Sequence, residues 1–380
     1  MKLHGVIAAA AAVLWCGLSP LTAAAGESGR VLATGETVPE LALTAWPQGP
    51  EVRLAELKGK KPALLFFWTI SREGMAAFPQ IAAAAKEFPD VQFIGVAVDS
   101  PDSVASFFRL KELPFPVGSD GEAATLRLYA REQDRIPMAA VIDRDGRLVW
   151  RGEVKYAAPV LDDMRKGTFD LALYIEREKF SGQVREAMKA RDYTRVLELL
   201  DGELQRNPEN MELISFKVRL LDSARGTPDE ALAVIEEALK RMPSEAGLYE
   251  LAVHVCKSNG RWKELSAWYD RMIAAFGEDP RFLLKHGRME MNQPVERLRP
   301  DNAYKLCRAA YLAPKFSSDR EKGVMAAEYA RALYYCGRPD KALEIGKEAM
   351  RLLKDTPEYE SAKAYVTYYK NVLELSKRIE

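Results

Sequence analysis

The chain has 380 residues, 48% hydrophobic and 29% charged, which is ordinary globular composition and more chain than one hydrophobic core normally organises, so two folded domains are expected. Lys+Arg and Asp+Glu are equal at 55 each and the pI is about 6.9. With no long basic run, this balance argues against nucleic acid or an anionic membrane surface as a partner.

The N-terminus reads as a leader. Lys2 precedes an apolar, Ala-rich stretch from Val6 to Leu18, and Leu21-Thr22-Ala23-Ala24-Ala25 offers small residues before Gly26. The pattern predicts a secretory signal peptide over residues 1–25, too short and too weakly flanked for a stable span, with an uncleaved anchor as the alternative. Cys16 follows Trp15, a residue too large for the position before a lipoprotein cysteine. The processed chain is therefore expected to be exported, to the periplasm or outside the cell, with no membrane span. Its cysteines are Cys256, Cys307 and Cys336. An odd number in an oxidising compartment leaves at least one free or intermolecular thiol, so this is not a disulfide framework. A Cys307–Cys336 bridge between adjacent helical units is geometrically conceivable. His4, His254 and His286 are scattered and none has metal-ligand spacing, so neither a metal nor another cofactor is expected.

Residues 30–165 alternate strand and helix patterns. Ala63 to Thr69 is an almost wholly apolar run after Lys60-Lys61-Pro62, the signature of a strand buried on both faces. Gly74 to Phe88 is Ala-rich and helical, Val91 to Val98 is β-rich, and Pro101 to Lys111 is helical with Pro101 in the first turn. Met138 to Ile142 and Arg147 to Trp150 read as two strands joined by Asp143-Arg144-Asp145-Gly146, a tight hairpin. The order predicts an α/β sandwich around a mixed sheet.

Taken together, these segments resemble a known family. Pro62 to Pro79 looks like the strand, turn and helix start of a thioredoxin-like active site. Gly35 to Leu43, Val52-Arg53-Leu54 and Leu57 to Lys60 resemble the lead-in of TlpA-like and redoxin (AhpC/TSA-type) relatives. Phe93 to Asp99, Pro114 to Val117, Asp120-Gly121 and Ile136-Pro137 through Val149 follow in the family's order. The resemblance implies a cis-proline at Pro137, with Ile136 and Met138 beside it forming a surface that pairs with extended peptide. It also implies a Cys-x-x-Cys after the Phe-Trp, and here this sequence departs from the family. With one residue deleted after Trp68, Ser71 and Gly74 stand at the cysteine positions; an ungapped alignment puts Arg72 and Met75 there. Neither choice yields a thiol, and dithiol exchange needs a thiolate. Phe66 lies where many relatives bury an acid, and Met138 replaces the usual small polar residue. Ser71 as a hydrolytic nucleophile lacks a base, since no His lies in this domain. An N-cap role for Ser71 is the simpler expectation. Cysteines introduced at 71 and 74 are expected to stand near the fold's active position.

Residues 170–380 are helical and repetitive. Gly226-Thr227-Pro228-Asp229-Glu230-Ala231-Leu232 recurs as Gly337-Arg338-Pro339-Asp340-Lys341-Ala342-Leu343, and Gly260-Arg261-Trp262 begins 34 residues after Gly226. That is the tetratricopeptide period. Ala231, Ile235, Ala238 and Pro243 fit the second half of that repeat; Val196, Leu200, Glu203 and Pro208, and Ala303, Cys307, Ala310 and Pro314, are weaker copies. The region therefore resembles a tetratricopeptide superhelix of five units, starting near Phe180, Leu213, Tyr249, Arg281 and Ala326, with a closing helix from Pro357 to Ile379. Pro294 and Pro300 interrupt the fourth unit, as in a longer loop. The resemblance implies peptide binding by first helices, with Arg185, Lys189, His254, Lys257, Arg331, Tyr334 and Tyr335 facing inward; the alternative is solvated helix surface. Tyr359, Tyr365, Tyr368 and Tyr369 make the last helix aromatic-rich, for packing or as a binding surface.

The function expected is a redox-inactive protein-binding or scaffold role in the cell envelope. One alternative is a thiol–disulfide oxidoreductase or peroxidase drawing a cysteine from elsewhere, for which Cys336 is the candidate. The other is a structural assembly module.

Overall fold

The computed structural model describes residues 30–109, 112–294 and 298–379. The leader and Cys16 lie outside the described residues. The chain divides between Ala190 and Arg191 into two compact units.

The first unit is built on β2 (Ala63–Trp68), whose six side chains are all buried. Its residues alternate between two apolar layers. Leu64, Phe66 and Trp68 pack with Phe78, Ile81 and Phe93 on one face, and Leu65 and Phe67 pack with Ile94, Tyr129 and Met138 on the other. Such a strand has no polar face to give to solvent, so helices must cover both sides. The others are β1 (Ala45–Gln48), β3 (Gln92–Ala97), β4 (Val117–Ser119), β5 (Met138–Ile142) and β6 (Leu148–Glu153), in the order β1-β4-β3-β2-β5-β6. β2 is parallel to β3 and antiparallel to β5, which closes the sheet with β6 as an antiparallel hairpin. At the hairpin turn, Asp143 Oδ1 accepts from the backbone N–H groups of Asp145 and Arg147. This is the mixed α/β sandwich expected from the pattern.

Its helices are α1 (Leu54–Leu57), α2 (Arg72–Ala76), α3 (Phe78–Glu87), α4 (Pro101–Phe108), α5 (Ala124–Tyr129), α6 (Ala157–Lys166) and α7 (Leu171–Lys189). Ser100 caps α4, with Pro101 in its first turn. The helix α7 belongs to this unit, although its sequence carries no α/β signal. Glu178 on α7 pairs with Arg131 at 2.6 Å and with Arg151 of β6 at 3.4 Å. Arg151 is 3% exposed and also donates to the carbonyls of Tyr129 and Leu32. The Tyr174 hydroxyl donates to Arg151 O on the edge strand β6. Residues 35–37 pair with the start of that strand. Together they shield an edge that would otherwise offer unpaired backbone groups.

The second unit is helical throughout its described residues. It comprises α8 (Tyr193–Arg206), α9 (Met211–Arg219), α10 (Pro228–Arg241), α11 (Ala246–Ser258), α12 (Trp262–Phe276), α13 (Pro280–Met291), α14 (Pro300–Tyr311), α15 (Asp319–Tyr335), α16 (Pro339–Leu352) and α17 (Tyr359–Ile379). From α9 onward the helices come as consecutive hairpins closed by α17, as in a repeat superhelix. Gly226, Gly260 and Gly337 precede second helices with φ of 65° to 69°, a conformation in which a Cβ is strained. The small repeat positions Ala231, Ala238, Ala303, Ala310, Ala342 and Ala349 are buried, which lets neighbouring helices approach. The interruption at Pro294 falls between α13 and α14, outside both helices. α9 runs into a π turn over Leu220–Arg225, where buried Asp222 accepts from Ser258 and Asn259.

The conceivable Cys307–Cys336 bridge is not formed: Cys256, Cys307 and Cys336 are all free. Cys307 on α14 places its Sγ over Gly287 of α13, while Cys336 is the C-cap of α15. No described helix is long and apolar enough to cross a membrane.

The Glu178 clamp gives a stability prediction. Glu178→Gln leaves the buried Arg151 with a weaker partner, and a hydrogen bond to a charged group is worth about 1.5–3 kcal/mol. Urea unfolding should show the first unit destabilised by about 2 kcal/mol; an unchanged midpoint would mean that α7 does not hold the edge of the sheet.

Candidate functional site

The turn that follows β2 is closed upon itself. Ser71 Oγ accepts from Gly74 N at 3.1 Å and from the Thr69 hydroxyl at 3.1 Å, and Ser71 N donates to Thr69 O at 2.8 Å. Ser71 is thus the N-cap of α2. Ile70 N is anchored on Asp99 Oδ2 at 2.8 Å. Arg72, Glu73 and Met75 are exposed, whereas Gly74 is buried. A Cβ at Gly74 would lie well inside contact distance of the Thr69 carbonyl oxygen and 3.3 Å from Ser71 Oγ. The expectation that cysteines at 71 and 74 would recreate a dithiol therefore needs correcting. The Thr69 backbone carbonyl occupies the space a side chain at 74 would need.

The Ile136–Pro137 peptide bond is cis. Phe67 pairs with Met138 across β2 and β5, so continuing the register sets Pro137 opposite Trp68, at the sheet end that carries the turn. Ile136 and Pro137 are half-buried, and Met138 is buried under the opposite face beside Phe67 and Tyr129. Phe66 stacks on Trp68 with ring centroids 6.4 Å apart, and Phe78 meets Phe66 edge-on at 6.0 Å. Phe107 and Phe108 extend this aromatic cluster around Trp68. The cluster is aromatic around Trp68, whose Nε1 is buried without a hydrogen-bond partner among the described residues.

The inward positions of the helical half are divided by the structure. Arg185 and Lys189 lie on α7 in the first unit, where Lys189 pairs with Glu132. The remaining five lie in the second unit. His254 and Tyr335 are exposed, and Tyr334 shares a 2.9 Å hydroxyl contact with Tyr368. Lys257 is bound to the buried Glu290, which also accepts from the Tyr269 hydroxyl at 2.9 Å. Arg331 is half-buried, donating to Asn292 Oδ1 at 2.8 Å and to Glu328 at 3.3 Å. Lys257 and Arg331 thus tie one helical hairpin to the next.

They belong to a ladder that sequence reading missed. Lys285 pairs with Glu250 at 2.7 Å, Arg288 with Glu328 at 2.9 Å, Arg281 with Glu321, Arg320 with Glu358, and Lys305 with Asp270 at 2.6 Å. Each pair joins residues 35 to 40 apart, from one helical unit to the next and slightly more than the 34-residue sequence spacing. Opposite charges recurring at that separation were a readable signal. Hydrogen bonds from the Ser317 hydroxyl and backbone, with Arg281, hold the Glu321 carboxyl down at about 2, and Arg320 does the same for Glu358. Buried His286, whose Nε2 is 3.3 Å from Glu250, has its pKa lowered by desolvation.

Burial raises the pKa of all three thiols. Desolvation raises Cys256 to about 11 and raises Cys307 further, and it raises Cys336 with help from Asp301. Among the described residues no group of three His, Cys, Asp or Glu side chains could hold a metal ion. A cavity of about 270 Å³ between Thr37, Leu54, Lys58 and Asp143 lies at the opposite end of β2 from the turn, beside Ala63.

Residues 34–151 match the AhpC/TSA family. No curated protein matches the chain. Among solved structures, the chain is similar to a candidate thiol:disulfide interchange protein, DsbE, from Chlorobium tepidum (22% identity, 36% of this chain and 98% of that one, TM-score 0.30). It is also similar to the peroxidoxin BcpB from Mycobacterium tuberculosis (20% identity, 36% and 96%, TM-score 0.30). A third likeness is to the reduced 2-Cys peroxiredoxin of Plasmodium vivax (18% identity, 36% and 83%, TM-score 0.32).

Two predictions follow from this geometry. Gly74→Cys forces the turn apart and should lower the stability of the first unit by about 1–3 kcal/mol. Ser71→Cys with Gly74→Cys should yield no reversible dithiol by thiol titration and insulin reduction; a working dithiol would show that the turn reopens. The second concerns acid. The depressed carboxylates contribute stability that is present above their ordinary pKa of 4.5 and lost as pH falls toward 2. His286 adds stability above 6.5 that is lost as pH falls through its lowered pKa. The melting temperature of the helical unit should therefore fall with acidification, and Glu321→Gln should lower it at neutral pH and flatten the fall below 4.5. An unaltered pH profile in that variant would remove Glu321 from the account.

Proposed function

We propose that this chain is a redox-inactive binding or scaffold protein of the cell envelope, exported by its N-terminal leader. The observation that carries the reading is the turn at 69–74. It has no thiol, no room for a side chain at 74, and an aromatic cluster around Phe66 and Trp68. The family match supports a redoxin-type fold for residues 34–151. What such a fold retains without its cysteines is the rim beside the half-buried Pro137, where an extended peptide segment can lie. The helical unit adds a second surface, with His254, Met289 and Tyr335 accessible on first helices. Arg331 and Lys257 shape that surface through their ion pairs rather than standing free for a ligand. Cys336, the thiol on which an oxidoreductase would depend, is half-buried with its pKa raised, which works against a thiolate at neutral pH.

The test has two arms. Purified protein should show no insulin reduction and no peroxide consumption above a protein-free blank. Turnover that disappears in Cys336→Ser would replace the binding reading with the enzymatic one. In the second arm, immobilised protein should retain envelope proteins, and His254→Ala with Tyr335→Ala should reduce their recovery at unchanged helicity. Retention lost instead with Ile136→Asp would assign binding to the Pro137 rim; no retention in any form would leave only a structural assembly role.

A further inference from the structure

The cavity at the far end of β2 has walls that are tied to one another. Three segments surround it: the lead-in at 37–40, α1 with the loop to Lys61, and the β5–β6 hairpin turn. Glu40 Oε2 accepts from Leu54 N at 2.9 Å and Glu40 Oε1 from Ala55 N at 2.6 Å, which joins the lead-in to α1. Gly59 N donates to Arg144 O at 2.7 Å, which joins the loop to the hairpin. Val38 N donates to Gly146 O at 2.9 Å, which joins the hairpin back to the lead-in. This closed ring of hydrogen bonds fixes the walls around about 270 Å³, near the lower end of small-molecule sites. The floor is apolar: Leu54, Ala63 and Ile142 are buried, and Val38 and Leu57 are half-buried. Gly146, at φ 78°, gives the hairpin wall no side chain. Two lysines also line the space. Lys61 is half-buried and donates to Gln92 Oε1 at 2.7 Å. Lys58 is exposed, with its stem beside Gly146, and has no hydrogen-bond or ion-pair partner among the described residues. The carboxylates are already engaged, Glu40 by the amides of α1 and Asp143 by the N–H groups of Asp145 and Arg147. The uncommitted charge at this cavity is therefore positive.

We propose that this cavity is a binding site for a small carboxylate with an apolar body, about ten non-hydrogen atoms in all. The body lies on the floor of Leu54, Ala63 and Ile142. The carboxylate sits at the mouth and takes charged hydrogen bonds from Lys58 and Lys61. An ammonium carries three donors, so Lys61 keeps Gln92 and still has donors for a ligand. Size follows from the volume: at about 30 Å³ per water, the space holds roughly nine waters, which a ligand of that size displaces. Charge selects the class. A neutral apolar molecule would leave Lys58 unused, and a cation would lie beside two ammonium groups while the carboxylates are bound to backbone N–H groups. Because the ring of hydrogen bonds shapes the cavity before the ligand arrives, little ordering is lost on binding. The length of β2, about 20 Å, separates this site from the turn at 69–74. The inference therefore stands apart from the peptide-binding reading and does not rest on it.

Phenylacetate is the probe. Phenylacetamide removes its charge, phenethylamine inverts the charge, and acetate removes the apolar body. Saturation-transfer NMR on the full chain should give phenylacetate a dissociation constant of about 0.1–1 mM. The amide should bind at least ~10-fold more weakly, and the amine and acetate should show no saturable binding. Lys58→Glu should weaken phenylacetate at least ~10-fold at unchanged circular dichroism, because Lys58 has no partner in the fold to lose. Lys58→Arg should retain binding. Ala55→Trp, at an exposed position lining the cavity, should narrow the mouth and reduce binding independently of charge. Lys86→Glu on α3, outside the site, should bind normally. No saturable binding of phenylacetate up to about 10 mM would overturn the proposal. So would equal binding of the amide or the amine, or binding indifferent to both Lys58→Glu and Ala55→Trp.

Discussion

Burial of β2 on both faces is the constraint from which the first unit follows. Six consecutive side chains without solvent access demand a strand on each side and a helical layer above and below. The strand must therefore end in a turn at the rim of the sheet, beside the loop that enters β5. Residues 30–165 contain no cysteine, so this turn carries no thiol. Ser71 spends its hydroxyl on the first turn of α2, the Thr69 carbonyl fills the space over Gly74, and Phe66 joins an aromatic cluster. An apolar residue at 66 packs in this cluster without leaving an unpaired buried charge.

The second unit obeys a different constraint. A helical hairpin cannot bury its apolar face alone, so each depends on the next. Small residues at the packed positions allow close approach, and ion pairs join each helical unit to the next. Individually, such exposed pairs contribute little. Those anchored on buried groups, such as Lys257 with Glu290 and Tyr269, are more demanding, because losing one partner strands the other. Side chains that looked available for ligands are therefore partly structural, and the accessible surface is left to residues such as His254, Met289 and Tyr335.

The two units treat their exposed edges differently. In the first, the edge strand β6 is shielded by residues 35–37 and by Tyr174 of α7, so backbone groups do not invite pairing. In the second, the outward face of α17 is polar, while Tyr365, Tyr368 and Leu375 on its flank are exposed.

Much of this was legible in the sequence because local physics is written locally. The apolar run of β2, the Asp-Gly hairpin, Pro101 in a first turn and the Gly-x-Pro repeat turns each determine their own element. The missing cysteines were equally plain. What tertiary structure alone decided are relations between distant residues. The α/β pattern ends near 165, yet α7 belongs to the first unit because Glu178 reaches Arg131 and Arg151. Gly74 looked like a site that could be refilled until the Thr69 carbonyl was found above it. A Cys307–Cys336 bridge was only conceivable from sequence; in the structure both thiols are free and Cys307 packs over Gly287. Arg331 looked free until Asn292 and Glu328 were found on it. Sequence determines which faces are apolar and where the chain turns; which polar groups meet depends on the packing of whole elements, and that is not a local property.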